Sequence, residues 1–554
     1  MLTESEDIGV NNLVELIKLD CNPITNIEEI VDKIPDEVEF VLLGECTHGT
    51  KEFYEIRSEM TKLLVKKKNF KVVLVEGNWP EFYRVNKYIT TKNPKDKTSY
   101  ESLRSIKEFP LWMWKNNVIA DLIDWLREYN SNYWDTPNNP ELVRMLGMDC
   151  YSLYESKRWL LAFLKIVDIE YHQTVINSLR FLDRYKTVKE YAHDVVHGRL
   201  KNCLSNIQFV LQNILSKIQW EKTDKYIELC EKKKIDKFAA ISAEQCCEVI
   251  ISADEYYRKL YSEPSGSNAS WNCRDQHMLM TVMRLTGLLP KINNNEEPVK
   301  IVIWAHNSHL GDSTATNRGG LEFNRNESWN LGQMIRSMYG REKTKLYGFY
   351  TYDGTVTAAD NWGDPCKKYQ LTPSLPYSYE WFFHKVAQQM SINSFHLNMN
   401  KYEIIESDTD TDTETDVTEY EFAELPNTYR FLHNLNKITE THEMNSTVLF
   451  ENININSTFV AVERRVVNNG IIRLRMENGG WVTEYVAYGS ITKYCIPVNS
   501  SIVKTTEELF STYNLQRWIG VNYKKETEIS SHYGESMLSK QFDNIIFIDN
   551  TSAL

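Results

Sequence analysis

Residues 39–68 read EFVLLGECTHGTKEFYEIRSEMTKLLVKKK, and this stretch decides the fold. EFVLLGE (39–45) is a continuous apolar run that ends on a carboxylate, as a strand buried on both faces does. Residues 52–68 then place Phe53, Ile56, Met60, Leu63 and Leu64 at helical spacing, so a helix follows the turn Cys46-Thr47-His48-Gly49. Apolar runs of the same kind recur at KVVLVEG (71–77), VRMLGMD (143–149), VKIVIWAHN (299–307) and KLYGFYT (345–351). With helical stretches between them, they predict an α/β fold: a mostly parallel sheet flanked by helices.

Residues 155–288 contain almost no Gly or Pro before SEPSGSN (262–268), and read as a large helical insertion between two strands. Residues 401–424, KYEIIESDTDTDTETDVTEYEFAE, carry ten acidic residues and one lysine, which predicts a disordered acidic linker over 401–428. The β-branched and aromatic stretch after it, with Asn-Gly and Gly-Gly turns, predicts a small all-β inserted module over 429–498 resembling a bacterial-type Src-homology-3-like barrel. Such a module would offer peptide or glycan contact. Residues 510–554 then return to the first domain (1–400), with NIIFIDN (544–550) as a further buried strand.

Net charge is −13, of which the acidic run supplies −9, so the remaining −4 is spread over the other residues. No broad basic face is expected, and nucleic acid is not a partner on this reading. The first twenty residues lack a basic leader with an apolar core, and no apolar run is long enough to span a bilayer. Ten scattered cysteines without CxxC spacing fit reduced thiols, and the expected location is cytoplasmic.

Ligand sites in open α/β sheets gather beyond the carboxyl ends of the strands. Glu45 and His48 follow the first strand, Glu76 ends the second, Asp149 the third, and His306 with His309 the fourth. A single carboxylate at a strand end is commonly a cap or turn residue. Four such ends, each with an ionisable group, read as an active site. A histidine oriented by a carboxylate takes a proton from water, and a second imidazole can hold the developing oxyanion. Arg57, on the following helix, could anchor substrate or tune a carboxylate. No GxSxG elbow is present, so activated water is preferred over a serine nucleophile.

The blocks GECTHGTKEFYEIRSEMTKLLV (44–65), VEGNWPEFYRVNKYI (75–89), FPLWMWKN (109–116), GMDCYSL (147–153), WNCRDQHM (271–278), WAHNSHLGD (304–312) and LGQMIRSMYG (331–340) resemble, in this order, the erythromycin esterase family. YGFYTYDGTVTAADNWG (347–363) and residues 517–549 look like its later blocks. The resemblance implies a hydrolase of an ester or lactone without metal or cofactor. His48 matches the family's proposed general base, Glu45 and Glu76 its acidic partners, Arg57 its arginine, and His306 and His309 its second histidine pair. Trp112, Trp114, Asp149 and His277 are expected to line or support the substrate. Cys46 stands where a small residue is expected and takes no catalytic role. Two other readings stay open: a metal-dependent hydrolase using the same His/Glu cluster, and a non-catalytic binding protein on this fold.

Overall fold

A computed structural model describes residues 4–107, 110–134, 139–200, 232–233, 236–262, 268–293, 297–316, 328–402 and 505–554, with strand segments between 427 and 497. The main sheet is built from β1 (Asn22–Pro23), β2 (Phe40–Leu43), β3 (Val72–Asn78), β4 (Arg144–Asp149), β5 (Ile301–Trp304), β6 (Thr344–Ala358), β7 (Lys367–Gln370), β8 (Ser394–Asn398) and β9 (Asn544–Thr551). Its order is β1-β8-β9-β6-β2-β5-β3-β4, with β7 paired to β6. The six strands from β9 to β4 run parallel, and β8 and β1 close one edge antiparallel. Every residue of β2, β3, β4 and β5 is buried, on both alternations, because helices flank the sheet. The sheet is the mixed α/β architecture expected from the apolar runs.

Strand order sets the site. β5 lies between β2 and β3, and β4 lies beyond β3, so the ends that carry the candidate residues are adjacent. Leu43 and Val75 both stand opposite Trp304, so Glu45, Glu76 and His306 leave the sheet at one level. Between β4 and β5 the chain makes the helices Leu153–Val167, Ile169–Leu179, Val188–Val196, Phe238–Ser262 and Ala269–Asn293. The last of these returns to the end of β4.

β6 is longer than the expected 345–351 because it follows β9 as far as Gly354 and its last four residues, Thr355–Ala358, pair with β7. The helix after the first turn spans Lys51–Lys68, and its buried face is rotated from the expected one. Ile56 and Leu63 are only partly buried, while Tyr54, Arg57, Ser58 and Thr61 are buried. A second, antiparallel sheet of eight strands lies between Asn427 and Pro497. Of the expected acidic linker, residues 403–426 lie outside the described residues.

Candidate active site

The turn after β2 is held from three sides. A side chain at Gly44 would collide with the amide oxygen of Asn307, and one at Gly49 with the carbonyl of Thr357. Asn307 N–H donates to the Glu45 carbonyl at 2.8 Å, and Thr357 N–H to the Gly49 carbonyl at 3.0 Å. His48 N–H donates to Ile519 O and Ile519 N–H to Cys46 O, so the C-terminal segment pairs with the turn. The Cys46 thiol is wholly buried and pushed far up in pKa by that burial, which fits a packing residue.

So clamped, the turn sets Glu45 and His48 against each other. His48 Nδ1 lies 2.9 Å from Glu45 Oε1, and Arg57 Nη2 donates to Glu45 Oε2 at 2.6 Å. A carboxylate bound to Arg57 accepts the Nδ1 proton, which leaves Nε2 as the basic nitrogen. Among the described residues no hydrogen-bond partner meets Nε2. Arg57 takes the second oxygen of Glu45. It is fully buried behind Glu45, with its guanidinium over the rings of Tyr54 (4.4 Å) and Trp304 (4.7 Å). Of the two roles expected of Arg57, anchoring substrate or tuning a carboxylate, the contact seen is the one with the Glu45 carboxylate. Removing one member of such a buried pair costs about 3–5 kcal/mol.

His306 stacks obliquely near His48, with ring centroids 4.9 Å apart. Ser308 N–H points at His306 Nδ1 (3.2 Å), so the proton sits on Nε2 and is donated to Cys46 O at 3.2 Å. Burial, and then His48, push this imidazole well below its ordinary pKa, and it stays neutral. The His306 N–H donates to Glu76 Oε2 at 2.9 Å. Burial works to raise the Glu76 carboxyl, but His309, Arg274, His48 and the His306 amide together hold it well below the usual carboxylate range.

Arg274, on the helix Ala269–Asn293, is the hub of the other half. Its guanidinium donates to Glu76 (2.6 Å), to Asp149 (2.6 and 3.1 Å) and to His309 Nε2 (2.8 Å). Burial opposes this cation, yet Asp149, Tyr151 and Glu76 keep it firmly protonated. His309 Nδ1 faces Asp275 at 2.8 Å, and its ring lies flat on Trp271 with centroids 4.3 Å apart. Since Arg274 can only donate, His309 carries its proton on Nδ1. Glu76, Asp149 and His309 Nε2, which a divalent ion would need, converge on a guanidinium. Among the described residues no group of three or more His, Cys, Asp or Glu is arranged to hold a metal ion.

The structure thus brings Glu45, His48, Glu76, His306 and His309 together, with Asp149 beside them. Asp149 accepts from Arg274 and from the amide of Cys150. Trp112 and Trp114 belong to the hydrophobic core, Trp114 packing edge-on against Phe82 and Tyr54. His277 faces Ser252 Oγ at 2.8 Å and Gln245, and burial lowers its pKa to about 4. It fastens its helix to Phe238–Ser262, one turn from Arg274. Arg274, Asp275, Trp271 and Ser308 are the residues that the sequence reading missed. The signal for Trp271, Arg274 and Asp275 was the block WNCRDQHM, and Ser308, inside WAHNSHLGD, was weighed only as a nucleophile.

The sequence model of the erythromycin esterase family matches residues 65–551, beginning after the turn that carries Glu45 and His48. Two solved structures align over 98% of this chain at 15% identity and a TM-score of 0.60. One is a succinoglycan biosynthesis protein, covered over 97% of its length, and the other a Bacillus cereus protein, covered over 98%. An erythromycin esterase, EreC, in its open conformation is 17% identical over 67% of this chain and 85% of its own, with a TM-score of 0.47. Among the described residues no helix is long and apolar enough to cross a membrane.

Proposed function

This chain belongs to the erythromycin esterase family, and from that premise we propose that it hydrolyses a carboxylic ester or lactone with water activated by His48. The observation that carries this reading is the asymmetry of His48: Nδ1 is fixed by Glu45, and Nε2 is left without a partner. A water at Nε2 gives up its proton as its oxygen attacks the ester carbonyl. Glu45, pinned by Arg57, stabilises the imidazolium that forms. The neutral His306 beside it supplies an Nε2–H for the oxyanion, exchanging its bond to the Cys46 carbonyl for one to the new charge. Collapse of the tetrahedral intermediate returns the proton from His48 to the departing alkoxide.

The test is hydrolysis of activated esters and macrolactones by the purified chain, with and without chelator, beside His48→Ala. The expected result is chelator-resistant turnover that falls about 10²–10⁴-fold in the variant, as loss of a general base does. The variant should still unfold cooperatively, because Arg57 continues to hold Glu45. Turnover that survives in His48→Ala refutes the assignment, and turnover abolished by chelator moves the reaction to a metal ion.

A further inference from the structure

The β6–β7 hairpin extends beyond the carboxyl edge of the sheet. Ala359 N–H donates to Val521 O at 2.9 Å, and with the Thr357 bond to Gly49 this fixes the hairpin beside the His48 turn. Its tip carries Trp362, which is half exposed (49%), to the ring of Tyr151, edge-on with centroids 6.2 Å apart. Tyr151 follows β4, whereas the hairpin grows from β6. The tip therefore reaches across the sheet order, past the ends of β2, β5 and β3.

Tyr151 in turn meets Tyr256 at 5.1 Å and lies under the Arg274 guanidinium at 4.9 Å. Three rings from three separate elements, all at least partly exposed, thus adjoin the polar centre through Arg274 and Glu76. Partly exposed aromatic rings beside a polar site suit a ligand-binding wall. Charge narrows the ligand further. Around the centre stand four carboxylates (Glu45, Glu76, Asp149, Asp275) against two guanidinium groups (Arg57, Arg274). The carboxylates outnumber the guanidinium groups by two, and an anionic ligand is repelled.

Resting on the esterase reading, we propose that Trp362, Tyr151 and Tyr256 form a subsite for the face of a ring carried by the substrate, and that the centre rejects rings bearing an anionic group. The probes are cyclohexanecarboxamide and cyclohexanecarboxylate, which share a ring and differ in charge, titrated calorimetrically into the full chain. The amide is expected to bind at least about tenfold more tightly than the carboxylate. Trp362→Ala should weaken the amide about tenfold, and Trp362→Phe less than about threefold. Since Trp362 is half exposed, its variants are expected to fold. Absence of amide binding, equal binding of the two probes, or equal binding by wild type and Trp362→Ala overturns the proposal. Amide binding as stated, in a chain that hydrolyses no ester, leaves the subsite standing and removes the esterase reading.

Discussion

His309 differs from His48 in what each nitrogen meets. Both rings give Nδ1 to a carboxylate, but the Nε2 of His309 is capped by Arg274. We propose that His309 holds Glu76 and Arg274 in register, with Asp275 fixing its tautomer. Asp275→Asn keeps the shape but can present its amide nitrogen to Nδ1, which favours the other tautomer and sets Nε2–H against Arg274. We expect kcat to fall about 10–100-fold with KM little changed, by analogy with the loss of outer-shell partners of functional histidines. Steady-state kinetics beside a melting curve check this. A drop in melting temperature that accounts for the whole loss would make Asp275 merely structural.

At the scale of elements, the turn between β2 and its helix tolerates no bulk. Gly49→Ala drives a methyl group into the Thr357 carbonyl, which is backbone and cannot step aside. The expected cost is about 1–3 kcal/mol by urea unfolding, with a loss of activity as His48 is displaced. Gly287, inside the helix Ala269–Asn293 with open space around it, is the contrasting case. Gly287→Ala should stabilise by about 0.5–1 kcal/mol. Equal effects at the two positions would refute the packing argument. The turn was legible in the sequence because strand, carboxylate, histidine and helix follow one another within thirty residues. The other parallel strands were legible for the same reason, as continuous apolar runs. β8 was not: SFHLN is short and carries no long apolar run, and its pairing with β9 spans a long stretch of chain. Arg274 and Asp275 were hidden differently. They sit mid-helix among apolar neighbours, and only the return of that helix to the end of β4 shows what they touch.

Across the whole molecule, buried neutral imidazoles tie stability to pH. His277 titrates near 4 when folded and near its ordinary 6.5 when unfolded. Below 6.5 the unfolded chain takes up a proton that the folded chain refuses, so stability falls as pH drops from 6.5 towards 4 and is flat above. His306, also depressed, adds in the same direction. For His277 alone the loss is about 3 kcal/mol. Urea unfolding at pH 7.5, 5.5 and 4.5 should show the decline, and His277→Gln should make it shallower; an unchanged slope would exclude His277 as a source. The second sheet gives another whole-molecule expectation. Tyr402, before residues 403–504, stacks near Phe510, after them, with centroids 4.8 Å apart. We propose that 403–504 is an insertion that leaves and rejoins the main body at one place. Replacing it with a short Gly-Ser linker should then preserve the melting transition of the main body and its turnover.

β9, formed by Asn544–Thr551, is not an edge strand. It lies between β8 and β6, with backbone bonds to both. During synthesis, then, the ribosome must release these residues before β8 and β1 can join the parallel strands and the sheet can close. Until that moment the nascent chain exposes the open flanks of β6 and β8, a template for pairing with other chains. Chaperone occupancy on ribosome-bound intermediates should therefore persist until Asn544–Thr551 emerge, and activity should not precede their release.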